Sequence, residues 1–551
     1  MVQTTRGRSL LQRTLDRQWL KYLRLPPTST DYSITRDIPI PMRDRAILLG
    51  DILEPNGPAN GTILITSPYG WNVVATALTG GVFVCRGYRV VLVRCRGTFG
   101  SGGVFEPFMH EIEDGADVVA WMREQSWWDG RFATYGYSYS GFTQWALLMD
   151  PPPELAAAVI ACAPFSFGEF LYGRGAFLLS TMLEWSFVTS RQAQPMVNRI
   201  VGNLRARGAI GRALAQVPLT DAAHSLFGAD APWYREWVTR RDISDEWWRR
   251  ADLTDGVERV AAPVLIHAGW QDGFVHQSIA AYTRIAARGA PVGLTVGPWT
   301  HTQGAASGAR FLVPDALAWF DEHLARLITD TRPAEARVFI RGDNAGWRNL
   351  PHWPPATTQR MLYAGPDGLL TDRVTESDTT YTFTFDPTQP TPAVGGAFIS
   401  QLSPGFSTGY VDDSAYASRP DVVTLTTRPL VEGIELMGTP RAIVHHRTDN
   451  PFADLYARIS DVDRRGRSVN VCDGFVRLDP DMPSRDVEIT LDPVAHRFAP
   501  GHRLRVLISG GAHPRWERNL GTGEDPATST HMRPSHREIG AVGTRLQLPV
   551  A

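Results

Sequence analysis

Several runs in the first third of the chain are apolar along nearly their whole length: Gly61–Thr66, Tyr88–Arg94, Phe132–Tyr135 and Ala156–Ala161. Segments of helical periodicity, Ile112–Gln125 and Phe142–Met149, lie between them. A strand without a polar face has no side to offer water. It must be covered on both faces, and helices alternating with such strands do this in a parallel α/β sheet. The pattern halts near residue 166 and resumes near 256 with Pro263–Ala268 and Val292–Val296. The intervening stretch is helical and aromatic, with Trp185, Trp233, Trp237, Trp247 and Trp248. An insertion so late in a parallel sheet is placed to become a lid over the strand ends.

From about residue 330 short β-rich runs take over, among them Val338–Ile340, Tyr381–Phe385, Leu455–Ser460 and Leu504–Ser509, separated by Pro-, Gly- and Asp-rich turns. This reads as an all-β sandwich or jelly roll. The expected organisation is an N-terminal helical extension over 1–35, an α/β core over 36–165, a helical cap over 166–255, the rest of the core over 256–329 and a β jelly roll over 330–551.

Composition excludes several chemistries. Of 55 Lys and Arg residues only Lys21 is a lysine. It sits in none of the contexts that a phosphate loop, a Schiff base or a lysine-assisted serine requires. A formal net charge of −2 creates no field for nucleic acid. Cys85, Cys95, Cys162 and Cys472 are scattered without metal spacing and are expected to be reduced, mostly buried thiols. His445, His446 and His502 lack a third ligand at metal spacing, so neither a metal nor another cofactor is expected. Gly97–Gly103 follows a strand but lacks the dinucleotide register, and reads as a tight loop.

The longest apolar runs are too short to span a bilayer. Residues 1–25 carry Arg6, Arg8, Arg13, Arg17, Lys21 and Arg24 with no apolar core of a secretory signal, so a cytoplasmic location is expected. Leu11, Leu15, Trp19 and Leu23 share one helical face there. That face would pack on the body of the protein or touch a membrane surface peripherally.

The chemistry concentrates at three strand ends. The run Phe132–Tyr135 enters Gly136-Tyr137-Ser138-Tyr139-Ser140-Gly141, and a helix pattern follows at once. Alone, this stretch also fits a helix N-cap. The strand–turn–helix context instead points to a nucleophile elbow at Ser138, with Ser140 where the last glycine of the motif usually stands. Serine needs a histidine base and a carboxylate to orient it, in the chain order Ser, Asp, His. Asp272 follows the strand Pro263–Ala268, and His301 follows Val292–Val296. Parallel sheets place their sites at these carboxyl ends. The N–H of Tyr139 is the expected oxyanion donor, and a second should come from Ser67–Trp71.

These motifs, together with Pro41–Asp44, Arg96-Gly97, Glu113–Gly115, Trp128–Gly130, Gly269–Gly273, Gly297–His301, Trp353-Pro354 and Gly501–Arg505, resemble the cocaine esterase and X-prolyl dipeptidyl-peptidase family of serine hydrolases. The resemblance runs nearly the full length. It implies an α/β-hydrolase core, a helical cap and a C-terminal jelly roll. It also implies Ser138 as nucleophile, Asp272 as orienting acid, His301 as base and the Tyr69 hydroxyl as second oxyanion donor.

Two features depart from the family. Arg94 stands where an aspartate is common, which should alter a structural ion pair. Gly273 and Phe274 follow Asp272, where relatives acting on α-amino acid esters carry carboxylates. The expected reaction is therefore hydrolysis of a small neutral ester or amide through an acyl-enzyme. Release of Xaa-Pro dipeptides from a short peptide is the alternative, with Glu169, Glu184 and Asp221 as cap carboxylates to hold its ammonium. A reading of another class is a non-catalytic ligand-binding protein on the same scaffold, against which the complete triad argues.

Overall fold

The computed structural model describes residues 5–551 apart from 195, 328–331, 333, 334, 375, 401, 403–406 and 482–485. The core is a twisted, mainly parallel sheet. Its strands in chain order are β1 (Thr5–Gly7), β2 (Tyr32–Pro41), β3 (Ile47–Pro55), β4 (Thr62–Ser67), β5 (Arg89–Arg94), β6 (Phe132–Tyr137), β7 (Leu155–Ala161), β8 (Val264–Gln271), β9 (Val292–Thr300), β10 (Ala336–Gly342) and β11 (Gly346–Leu350). Across the sheet they lie in the order β1-β2-β3-β5-β4-β6-β7-β8-β9-β10-β11. From β5 to β10 every neighbour is parallel, and β5 and β8 are buried at every position. Helices on the two faces enclose separate apolar cores. This is the α/β hydrolase expected from the apolar runs. Its antiparallel edge β2–β3 was not legible, because Pro39 and Pro41 break the strand pattern.

The helical cap lies between β7 and β8. It includes Phe167–Tyr172, Leu179–Ser190, Met196–Ala215, Leu219–Phe227 and Pro232–Thr239. The all-β domain packs on the core around its own apolar centre. Its last strand, Ser535–Val550, pairs with Thr358–Ala364, Thr380–Phe385 and Arg441–Thr448.

Two expectations differ from the structure. Val338–Ile340 was read as the first strand of the β domain, but Ala336–Val338 hydrogen-bonds to β9 in the core sheet. Only the far end of β10, Arg341 and Gly342, pairs with the β domain, so one strand stitches the two sheets together. The expected boundary between 329 and 330 lies outside the described residues.

Segment 1–35 is helical at Leu10–Tyr22, yet it adds strands to the sheet edge at both ends. The seated face of that helix is Gln12, Asp16 and Leu20, continued by Leu23, while Leu11 is 59% exposed. Polar residues occupy the buried face because Asp16 is paired there with Arg8 at 2.9 Å and accepts from the Tyr32 hydroxyl.

Arg94 forms ion pairs with Asp37 and the fully buried Asp51, each at 2.8 Å. The altered position therefore carries a structural ion pair. The loop after β5 closes tightly, with the Gly97 N–H donating to the Gly102 carbonyl at 2.9 Å. The four cysteines are buried and unbridged. Among the described residues no helix is long and apolar enough to cross a membrane.

Candidate active site

Strand β6 ends at Tyr137 and the helix Tyr139–Leu147 begins two residues on. Ser138 makes the connection with φ 60° and ψ −124°, a conformation that L-residues rarely adopt. Small neighbours permit it. A Cβ on Gly136 would lie 2.1 Å from the Ser140 carbonyl oxygen, and one on Gly141 would lie 2.4 Å from the Ala163 Cβ. The glycine that seats the helix against the sheet is thus Gly141, and Ser140 fits at the preceding position.

His301 opens a short helix, His301–Ala305, fixed by a capping box between Thr300 and Gln303. Its Nε2 lies 3.0 Å from the Ser138 Oγ and its Nδ1 lies 2.8 Å from Asp272 Oδ2. The other oxygen of the fully buried Asp272 accepts the Phe274 N–H at 2.8 Å. The Tyr137 hydroxyl donates to the His301 carbonyl at 2.6 Å, holding the backbone of the histidine. The β domain braces the residue before Asp272 from behind, since the Gln271 amide donates to the Val471 carbonyl at 3.0 Å.

Tyr69 follows β4 and its hydroxyl lies near Ser138. The residue borders the open cavity and is 41% exposed. Desolvation of the hydroxyl pushes its pKa up to about 12, so it stays a proton donor at neutral pH. The Trp185 indole N–H of the cap donates to the same oxygen at 3.1 Å. Tyr139 contributes the first amide of its helix, which has no acceptor within that helix. Its side chain is locked in place. The hydroxyl donates to Glu111 and accepts the Phe108 N–H at 2.8 Å.

All five residues singled out from the sequence therefore meet at one point. Trp185, Glu111 and Tyr137 were not foreseen in these roles, because each acts through a contact across more than 20 positions of chain that no local pattern records.

The site opens into a cavity of about 530 Å³. On the cap side its walls are Phe108, Phe167, Phe170, Met182 and Trp185. Ile399 and Ser400 of the β domain also reach it, which the sequence offered no signal to find. Of the three cap carboxylates, Glu184 lines this cavity, where it accepts from the Ser400 hydroxyl at 2.7 Å and the Leu402 N–H at 2.8 Å. Glu169 borders a separate cavity of about 310 Å³, and Asp221 is exposed on its helix.

Comparison with known proteins agrees with this geometry. Residues 46–303 match the X-Pro dipeptidyl-peptidase (S15 family) profile, and residues 330–542 match the X-Pro dipeptidyl-peptidase C-terminal non-catalytic domain. The chain is 30% identical to the cocaine esterase of a Rhodococcus species over 90% of its own length and 93% of the relative's. It shares its fold with an aminopeptidase from a marine-sediment Thaumarchaeota archaeon, at TM-score 0.79, 22% identity and coverage of 96% and 97% of the two chains. An α-amino acid ester hydrolase is equally similar in fold, at TM-score 0.79, 21% identity and coverage of 96% and 98%. The chain belongs to the cocaine esterase and X-Pro dipeptidyl-peptidase family and is a serine hydrolase acting on esters or peptides.

Proposed function

We propose that the protein hydrolyses neutral esters of apolar acids, with Ser138 as nucleophile, His301 as base and Asp272 as orienting acid. The observation that carries this reading is the imidazole of His301 suspended between Asp272 and Ser138 at the foot of an aromatic cavity. Ser138 Oγ attacks the ester carbonyl while His301 Nε2 takes its proton. Asp272 holds the imidazole in the tautomer with Nδ1 protonated and stabilises the imidazolium. The Tyr139 N–H and the Tyr69 hydroxyl donate to the developing oxyanion. His301 returns the proton to the leaving alcohol, and a water activated by the same histidine then releases the acid.

Two features favour a neutral acyl group. Gly273 and Phe274 stand directly after Asp272, and the cap side of the cavity is lined by aromatic rings. Xaa-Pro dipeptide release is the second reading, favoured by Glu184 in the cavity wall. Its carboxylate already accepts two hydrogen bonds from the loop of the β domain, which ranks it below the ester reading.

The test compares wild type and Ser138→Ala on p-nitrophenyl esters and on an Xaa-Pro p-nitroanilide. Ester turnover that falls at least about 10³-fold in the variant supports the reading. Anilide turnover that requires a free substrate amine, without ester turnover, would replace it with the peptidase. Near-normal ester turnover in Ser138→Ala would remove Ser138 as nucleophile.

A further inference from the structure

The catalytic cavity does not end at the cap. It crosses the carboxyl ends of the strands and continues on the other side, where Trp19, Ala75, Leu78, Thr302, Ala305 and Val313 line it. Val313 belongs to the apolar core that includes Leu20 and Leu23 of the N-terminal segment, whereas Phe108 and Met182 belong to the core on the cap side. The walls of the cavity therefore come from both sides of the sheet, a cap-side arm and an N-terminal arm, and Ser138 is in the lining that joins them. Trp19 comes from the helix Leu10–Tyr22, upstream of the matched catalytic domain, which begins at residue 46.

That helix is fastened to both banks of the second arm. The Trp19 indole donates to the Leu78 carbonyl at 3.1 Å, and the Tyr22 hydroxyl donates to the Ala306 carbonyl at 3.2 Å. The Trp19 and Tyr22 rings stack at 5.2 Å. Leu78 lies on the helical stretch that follows Tyr69, and Ala306 ends the short helix that His301 begins. The contact is close: a Cβ on Gly81 would lie 2.9 Å from Asp16. The Arg8–Asp16 ion pair and the buried Leu20 and Leu23 hold the helix as well. The Trp19 ring also forms part of the wall of the cavity.

The position of this arm assigns its occupant. The leaving oxygen of an ester must come within reach of His301, which protonates it. Thr302 and Ala305, directly after His301, continue the wall of this arm. We propose that Trp19 of the N-terminal helix completes a subsite for the alcohol portion of the substrate, selecting esters of bulky apolar alcohols. The inference rests on the ester reading above. The acyl group then occupies the aromatic cap arm.

Two substrate series separate these assignments. One holds the acid as acetate and enlarges the alcohol from methyl through butyl and benzyl to naphthylmethyl. The other holds the alcohol as methyl and enlarges the acid from acetate to butyrate and benzoate. Wild type should gain in kcat/KM along the alcohol series. Trp19→Ala should lose about ten-fold on naphthylmethyl acetate, mainly through KM, and keep its rate on methyl butyrate. Leu78→Trp, which fills the arm, should lose at least about ten-fold on the same large alcohol while also keeping methyl butyrate.

The retained rate on methyl butyrate reports that each variant is folded. If Trp19→Ala alters the acyl series instead, or neither series, the subsite is refuted. Undiminished turnover of the large alcohol by Leu78→Trp refutes it independently. Wild type that turns over no ester in either series removes the ester reading and the subsite with it, whereas turnover without selectivity among alcohols removes the subsite alone.

Discussion

Tyr69→Phe removes one oxygen and leaves the ring in place, so it isolates the proposed oxyanion donor. The hydroxyl lies near Ser138 and retains its proton well above neutral pH. It can therefore donate throughout the working range. A preorganised donor aimed at a developing oxyanion contributes about 10²–10³ in kcat, or about 3 kcal/mol. Because the charge exists only in the transition state, the loss should fall on kcat and leave KM nearly unchanged. Trp185→Phe probes the next link. It keeps the Tyr69 hydroxyl but deletes the indole N–H that donates to it at 3.1 Å. One neutral hydrogen bond contributes about 1 kcal/mol, so kcat should fall only about three- to ten-fold. If Trp185 acts through Tyr69, the double variant should be no slower than Tyr69→Phe alone. Steady-state hydrolysis of a p-nitrophenyl ester by the four proteins measures the whole cycle. A Tyr69→Phe enzyme within three-fold of wild type in kcat would refute the donor role. Fully additive losses would refute the coupling.

Three further perturbations test the frame around the site. Gly136→Ala should abolish activity and lower the thermal midpoint, since its Cβ would meet the Ser140 carbonyl oxygen at 2.1 Å; an active, equally stable variant would show that the elbow relaxes. Arg94→Ala should cost about 3 kcal/mol in chemical denaturation, because Asp51 stays buried and, among the described residues, keeps only Arg36 as an ion-pair partner; a loss below about 1 kcal/mol would contradict this. Burial raises the Glu111 carboxyl from its ordinary 4.5 to about 7, so the folded state favours its protonated form. Its contribution is full below the unfolded value and is lost as pH rises through 7, amounting to about 3 kcal/mol in all. Denaturation of Glu111→Gln between pH 4 and 8 should show a correspondingly shallower decline than wild type, and parallel curves would refute the assignment.

The parts of this protein legible in its sequence are those coded by short-range patterns. Strands β4 to β9 are visible because burial on both faces demands continuous apolar runs, and Ser138, Asp272 and His301 are visible because each lies just past the end of one of them. The edge strand β2 was hidden, since its prolines and alternating burial obey no such rule. The N-terminal helix was recognised as a helix packed on the body of the protein, and Trp19 and Leu23 of the expected face meet the core while Leu11 does not. A buried Asp16 cannot be anticipated without the Arg8 that neutralises it there.

The order Ser138, Asp272 and His301 along the chain, each just past the end of a buried strand, then, follows from the sequence alone. Only the tertiary structure decided what surrounds them. Trp185 reaches Tyr69 across 116 positions, the β-domain loop brings Ser400 to Glu184 across 216, and the N-terminal helix lays Trp19 beside Leu78 across 59. Such contacts depend on how separately formed layers dock, and docking is governed by complementary surfaces whose parts are dispersed along the chain. Periodicity and motif spacing reach only a few residues, so they mark where the reaction occurs, while the walls that select its substrate emerge when the layers close around it.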